Sequence, residues 1–256
     1  MESNSKKHIA LIIGKKNSMG VKKKNIRKIL GRPSVEYAFI AAENSIIDEI
    51  FVSTDCPVIK KIAKKYNANI IDRPSILATP DSLTEDVLEH ALKLIKNKFN
   101  SIKTISLLMA NNPGIDVNLL NKAIKILEKN KSLDSCFSVA KYNMFSPNRA
   151  KVIQNGLIKE YDQRLNKSSA VNSIRSSQGD IYFCDLSIQV MKPRVIEKIN
   201  KGQPPLKWLG KKSKAIFVDY GFDVDTEWQF KVMENLLKEK GFSNAKIPWK
   251  KLKSKK

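Results

Sequence analysis

The chain has 256 residues, 42% of them hydrophobic, and carries a formal net charge of +22 from 47 lysines and arginines against 25 acids. That length and apolar content suffice for a sizeable core, which excludes a disordered chain, and no apolar run approaches the ~18 residues needed to cross a bilayer. The segment Met1-Glu-Ser-Asn-Ser-Lys-Lys-His8 lacks the apolar stretch of a secretory leader, so a cytoplasmic protein without membrane attachment is expected.

In chain order, apolar runs alternate with segments of helical period. Residues 8–13 read as a strand, 33–44 as a helix, Glu49-Ile-Phe-Val-Ser53 as a strand and Val58-Ile-Lys-Lys-Ile-Ala63 as a helix. Ser82-Leu-Thr-Glu85 has the capping-box pattern, and Leu88, Ala91, Leu92 and Ile95 continue on one face of a helix of about four turns. A strand at 103–109 and a helix near 116–129 follow. Strand, helix, strand, helix predicts an α/β fold with a mostly parallel sheet wrapped by helices.

The pattern changes after residue 133. Cys136–Ala140, Lys151–Ile153, Ile181–Cys184 and Ala215–Val218 are short strand candidates separated by polar, turn-rich stretches. Residues 154–178 show little periodicity and many Gln, Asn, Ser and Arg, which predicts an excursion from the core. With no internal repeat and no linker, one domain spanning 1–256 with an inserted arm at about 141–180 is preferred to two domains. Cys56, Cys136 and Cys184 stand far apart in a number that cannot all pair, so reduced thiols are expected. His8 and His90 have no metal partner at useful spacing and read as structural.

Two constellations carry chemistry. Gly14 to Asn25 holds five lysines in twelve positions with no acid, at the end of the first strand. Open α/β sheets bind ligands at the carboxyl ends of their strands. Gly14 and Gly20 permit tight turns, Asn17, Ser18 and loop N–H groups can donate to phosphate oxygens, and Lys15, Lys16, Lys22, Lys23 and Lys24 supply charge. A triphosphate fits, although the stretch is neither a Walker A loop nor a three-glycine dinucleotide fingerprint, and an exposed basic turn is the plain alternative. The second constellation is Asp223-Val-Asp225-Thr226, between a strand and a helix bearing Phe230, Met233 and Leu237. Alternation along extended chain puts Asp223 and Asp225 on one face, as Mg²⁺ on a phosphate chain requires; Thr226 reads as the helix cap. The net charge points to an anionic partner, but lysine dominates over the arginine forks that read bases and phosphates, so no specific nucleic acid is expected.

Ile9–Ile13, the Lys/Ser/Gly loop, Lys24-Asn25-Ile26, Gly31-Arg-Pro33, Val52-Ser-Thr-Asp55, Arg73-Pro74 with Leu77-Ala78, and Asp223-Val-Asp225-Thr226 together resemble the acylneuraminate cytidylyltransferases over about residues 8–145 and 180–240. That resemblance implies a Rossmann-like nucleotidyltransferase core, CTP as substrate, Mg²⁺ as cofactor, and a homodimer formed through an arm in the second half. It also adds Arg73 and Asn111 to the nucleotide contacts. Two departures stand out. The usual Ala-Arg-Gly-Gly-Ser-Lys-Gly is here Gly14-Lys-Lys-Asn-Ser-Met-Gly20, and Leu-Gln-Pro-Thr-Ser-Pro-Leu-Arg is here Leu108-Met-Ala-Asn-Asn-Pro-Gly-Ile115.

The expected reaction is attack of an acceptor oxygen on the α-phosphorus of CTP with loss of pyrophosphate. Lys15, Lys24 and Asp225 are assigned to catalysis and Asp223 with Asp225 to the metal. Gly14, Lys15, Asn17, Ser18, Gly20, Lys24, Asn25, Arg73 and Asn111 are assigned to the nucleotide. Arg149, Arg164, Arg175 and Gln178 are the candidates for a small anionic acceptor. An acid sugar of sialic, legionaminic or pseudaminic type is favoured by the arginines set among neutral donors, with a phosphonate as the alternative. A basic nucleotide- or RNA-binding protein without catalysis is the reading from another class. Lys15 and Met19 argue for it, and the paired acids argue against it.

Overall fold

The computed structural model describes residues 6–17, 20–162 and 172–249. Among them, a seven-stranded sheet runs in the order β11-β7-β10-β6-β1-β4-β5. Its strands are β1 (Lys7–Ile13), β4 (Glu49–Thr54), β5 (Asn69–Asp72), β6 (Ile102–Met109), β7 (Ser135–Lys141), β10 (Tyr182–Met191) and β11 (Ser213–Val218). All neighbouring pairs are parallel except those of β10, which runs antiparallel to both β6 and β7. The expected mostly parallel sheet is therefore present.

Alternation along β1 shows how the two layers arise. Ile9, Leu11 and Ile13 pack on one face with α3 (Thr84–Lys98) and α5 (Pro193–Glu197). Ala10 and Ile12 face the other side, where α1 (Ser34–Glu43), α2 (Pro57–Lys65) and α4 (Val117–Lys129) lie. A strand buried on both faces has to be apolar at every position, which is why Ile9–Ile13 reads as an unbroken run. A third cluster joins α6 (Glu227–Glu239) to Ile29, Tyr37 and Phe242. Ile29 belongs to a small ribbon of β2 (Lys28–Ile29) and β3 (Arg32–Pro33) that the sequence pattern did not announce.

Several expectations change. Ser82-Leu-Thr-Glu85 forms no capping box: α3 begins at Thr84, and the Ser82 hydroxyl donates to the Thr79 carbonyl at 2.8 Å. The box occurs instead at α6, where Thr226 and Gln229 satisfy each other's backbone N–H groups, and Asp116 caps α4 through Asn118 N and Leu119 N. The strand expected at 181–184 is only the entry to β10, whose register breaks between Cys184 and Gln189, with Leu186 at φ 60°. The strand expected at 151–153 is β8 (Lys151–Gln154), and within the stretch expected to be irregular β9 (Leu157–Glu160) pairs with it as a hairpin. Asn155 and Gly156 turn it at φ 52° and 78°, the two positive values that a two-residue type I′ turn requires. The three thiols are free, as expected. No helix among the described residues is long and apolar enough to cross a membrane.

His8 is structural. It is buried at the amino end of β1, with Nδ1 2.8 Å from Thr104 Oγ1 and Nε2 3.2 Å from Glu128 Oε1. Burial outweighs the attraction of Glu128 and holds its pKa below the ordinary 6.5. The unfolded chain therefore takes up a proton that the folded chain resists, so this contribution to stability is complete above 6.5 and declines as pH falls towards the folded value. Urea unfolding should show a larger drop in midpoint between about pH 7.5 and pH 5.5 for the wild type than for His8→Gln. Equal drops would remove His8 as the cause.

Candidate active site

A cavity of about 490 Å³ opens at the carboxyl ends of β1 and β6. The chain leaves β1 towards β4 and leaves β6 towards β7, on opposite sides, so a crevice between diverging connections is built into the topology. Its walls come from the loop after β1, from Arg73 after β5, from Asn111 after β6, from residues 82–84 at the start of α3, and from Asp223 and Asp225 before α6.

The loop after β1 is fastened by main-chain contacts. Thr54 Oγ1 donates to Gly14 O at 2.6 Å, Asn25 Nδ2 donates to Lys15 O at 2.9 Å, and the Lys16 N–H donates to Asp55 Oδ1 at 2.7 Å. Lys15 Nζ crosses the mouth to Thr79 O at 2.9 Å and Pro80 O at 3.4 Å. Gly14 is required here for close approach. A Cβ at that position would lie 2.7 Å from Ala110 Cβ and 3.1 Å from Ile59 Cδ1. Arg73 is nearly buried, donating from Nε to Ser53 Oγ at 3.2 Å and from Nη2 to Ser53 O at 2.7 Å. Burial lowers its pKa to about 10 and Asp55 opposes that shift, which leaves the guanidinium charged at neutral pH.

On the opposite wall, the Val224 N–H donates to Asn111 O at 2.8 Å and holds the acidic segment against the end of β6. Lys24 Nζ donates to Asp225 Oδ1, and Asn111 Nδ2 donates to the same oxygen at 3.1 Å. Asp223 is more deeply set, with Asn112 Nδ2 3.0 Å from its Oδ1. Burial pushes its pKa up to about 6, the Asn112 bond pulls the other way, and Asp225 adds to the rise. Two hard carboxylates at the rim of a cation-lined cavity suit Mg²⁺, which keeps several waters and takes few protein ligands; among the described residues no group of three or more potential ligands exists.

Gly14, Lys15, Gly20, Lys24, Asn25, Arg73, Asn111, Asp223 and Asp225, all named from the sequence, line this cavity. Asn17 is exposed and does not line it. Ser18 and Arg164 lie outside the described residues, and so does the side chain of Arg175. Arg149 and Gln178 are brought to each other, Nε to Oε1 at 2.8 Å, but not to the cavity. Sequence reasoning missed the wall at residues 82–84 and missed Asn112; the tandem Asn111-Asn112 directly after a strand was the available signal for the latter.

The cytidylyltransferase family model matches residues 9–197. The chain belongs to the cytidylyltransferase family. The chain is also 30% identical over 238 residues to the post-translational flagellin modification protein B of Campylobacter coli, covering 91% of this chain and 95% of that protein. It is 26% identical over 178 residues to the pseudaminic acid cytidylyltransferase and UDP-2,4-diacetamido-2,4,6-trideoxy-beta-L-altropyranose hydrolase of Helicobacter pylori, covering 68% of this chain but 34% of that longer protein. Among solved structures, CMP:2-keto-3-deoxy-manno-octonic acid synthetase complexed with CTP superposes with a TM-score of 0.63 over 91% of this chain and 99% of that one; at 14% identity the likeness concerns the fold alone.

In this cytidylyltransferase, Gly14→Ala should over-pack the junction of β1 with the segment after β6. The expected cost is about 1–3 kcal/mol, read as a lower urea midpoint with an unchanged slope. Full retention of stability would mean that the junction yields freely.

Proposed function

We propose that the chain transfers CMP from CTP to an acid sugar of the sialic, legionaminic or pseudaminic type and releases pyrophosphate. The observation that carries this reading is the meeting of Lys15, Lys24, Arg73, Asp223 and Asp225 around one cavity at the strand ends. The name of the Helicobacter pylori relative supports the acceptor class.

In the proposed reaction, a hydroxyl oxygen of the acceptor attacks the α-phosphorus. The new P–O bond forms as the bond to the β-phosphate oxygen breaks, the hydroxyl proton leaves to water, and pyrophosphate departs with increasing negative charge. Such reactions are driven mainly by positioning and by neutralising charge where it develops. Lys15 and Lys24 exchange their protein oxygens for phosphate oxygens, which are acceptors of the same kind carrying more charge. Arg73, held in place through Ser53, supplies a buried positive charge in the cavity wall. Asp223 and Asp225 hold Mg²⁺, which when bound neutralises phosphate charge and orients the chain of phosphates.

Pyrophosphate release from CTP, measured across nonulosonic acids, 3-deoxy-octulosonic acid and small phosphonates, tests this reading. Nonulosonic acids should turn over fastest. Asp225→Asn should abolish turnover, and Lys24→Ala should reduce it by about 100-fold, the loss typical of one transition-state donor, while a control at exposed Lys211 should not. A preference for phosphonates would overturn the acceptor, and wild-type rates in Asp225→Asn would overturn the metal assignment.

For oligomeric state, we propose that the molecule works as a homodimer, with residues 141–180 forming the arm of a single domain. The support is apolar surface exposed among the described residues: Ile153, Leu157 and Ile158 on the β8–β9 hairpin, and Met144 and Phe145 before it in the chain, are each more than half exposed. A second copy covers this surface and brings Arg149 and Gln178 towards an acceptor. Light scattering should give a dimer for the wild type and a monomer for a variant carrying Ile153→Lys with Ile158→Lys; a wild-type monomer would sink the proposal.

A further inference from the structure

The two asparagines after β6 stand in a relation to the two acids that none of the functional assignments uses. Asn112 is 1% exposed, and both of its N–H groups are engaged: Nδ2 donates to Asp223 Oδ1 at 3.0 Å and to Asp185 O at 3.0 Å, while Oδ1 accepts from the Gly114 N–H at 3.2 Å. Asn111 is 7% exposed; its carbonyl takes the Val224 N–H at 2.8 Å and its Nδ2 reaches Asp225 Oδ1 at 3.1 Å. The two amides therefore bear on both acids, Asn112 on Asp223 and Asn111 on Asp225 and Asp223, and a main-chain bond ties the residue between the acids to the same turn.

This pattern goes beyond what folding the turn requires. A buried asparagine that only shaped the loop would be satisfied by main-chain groups, as the Asn112 bonds to Asp185 O and Gly114 N already begin to do. The other N–H of Asn112 and the amide of Asn111 are directed instead at carboxylate oxygens. An amide N–H favours the ionised acid and restricts its rotation about χ2. Two carboxylates close enough to repel each other, one of them buried, gain most from donors of that kind. Asn112 further anchors Asp223 to the irregular part of β10 through Asp185, so the orientation of that acid is referred to the sheet and not to the mobile end of a side chain.

We infer that Asn111 and Asn112 are positioning residues, a pair of amide clamps that pre-set Asp225 and Asp223 for the divalent cation of the nucleotide complex. The clamps act through the acids; Asn112 lies behind them and does not line the cavity, whereas Asn111 also lines it. The inference rests on the Mg²⁺ reading given above, and it accounts for two amide side chains in tandem at a strand end. Outer hydrogen-bond partners of metal ligands typically contribute about 10–100-fold in metal affinity or activity.

The test is calorimetric titration of CTP into the wild type, Asn111→Ala and Asn112→Ala, each with excess Mg²⁺ and again with EDTA. The quantity read is the ratio of the two dissociation constants, which isolates the metal-dependent part of binding. The wild type should bind more tightly with Mg²⁺; the same affinity under both conditions would remove the metal reading itself. Given a wild-type enhancement, each variant should lose about tenfold of it, and for Asn112→Ala, which does not line the cavity, the EDTA constant should stay within about twofold. A ratio within about threefold of wild type, or equal weakening under both conditions, overturns the clamp. Circular dichroism and thermal melting report whether the variants fold. Asn112 bridges three buried groups, so if Asn112→Ala does not fold, the ratio measured for Asn111→Ala decides between the two outcomes.

Discussion

The site depends on a crossing. The acids lie just after β11, at one edge of the sheet, while the basic loop leaves β1, four places away in the strand order. The segment after β11 therefore has to travel across the ends of β7 and β10 to reach β6, and the bond from Val224 N to Asn111 O is where it lands. Val224 is fully buried and belongs to the same apolar cluster as Phe230, Met233 and Leu237 of α6. Burial of that cluster against Ile29 and Tyr37 is what keeps the crossing in place. Outside it, Arg27 pairs with Glu227 and lies over the Phe230 ring at 4.3 Å, while Arg32 donates to Ser243 O at 2.6 Å and Asn244 O at 2.9 Å. These contacts all join the first loop region to the last helix region, so the meeting of Lys24 with Asp225 follows from how α6 docks.

The same crossing explains why the cavity can tolerate buried charge. Taking Asp223 or Arg73 out of water without partners would cost several kcal/mol each. Both remain next to the cavity, and both are braced by groups that belong to the sheet: Ser53 for Arg73, Asn112 for Asp223. A polar network anchored on strand ends cannot relax far, because the strands behind it are buried on both faces. Burial opposes the charged form of each group, lowering the pKa of Arg73 and raising that of Asp223, so the cost of that pre-organisation is the weakened solvation itself.

What was legible in the sequence follows from the period of each element. β1, β4 and β6, and the helices between them, are long or strongly apolar, and each unit repeats the same strand-then-helix pattern; α6 was legible from its Phe230, Met233 and Leu237 face. β5 was not, because four residues with one buried position carry almost no periodicity. β10 was read only at its start, because a break in register at Cys184–Gln189 interrupts the alternation that marks a strand. In the site, the glycine–lysine loop and the paired acids could be named because their chemistry resides in side chains. The wall at residues 82–84 could not be named, since Lys15 reaches that region through the carbonyls of Thr79 and Pro80, and a carbonyl has no residue type. Asn112 escaped for a related reason: an asparagine in a turn is ordinary until the acid it serves, 111 positions later, is brought beside it.

The charge of +22 has little to do with recognition at this cavity. Of the loop lysines, only Lys15 and Lys24 line it, while Lys16, Lys22 and Lys23 are exposed. The two that line it are held by protein oxygens, Lys15 by carbonyls on one side of the mouth and Lys24 by a carboxylate on the other. Placing each ammonium against an oxygen fixes its direction and keeps two like charges from repelling across an open space. On the proposed reading, a phosphate chain entering between them would offer the same bonds at higher charge density, and Asp225, relieved of Lys24, would then be available to a cation travelling with that chain. On that reading, anion and cation sites built this way would be filled together, because each ligand would free the partner that the other needs.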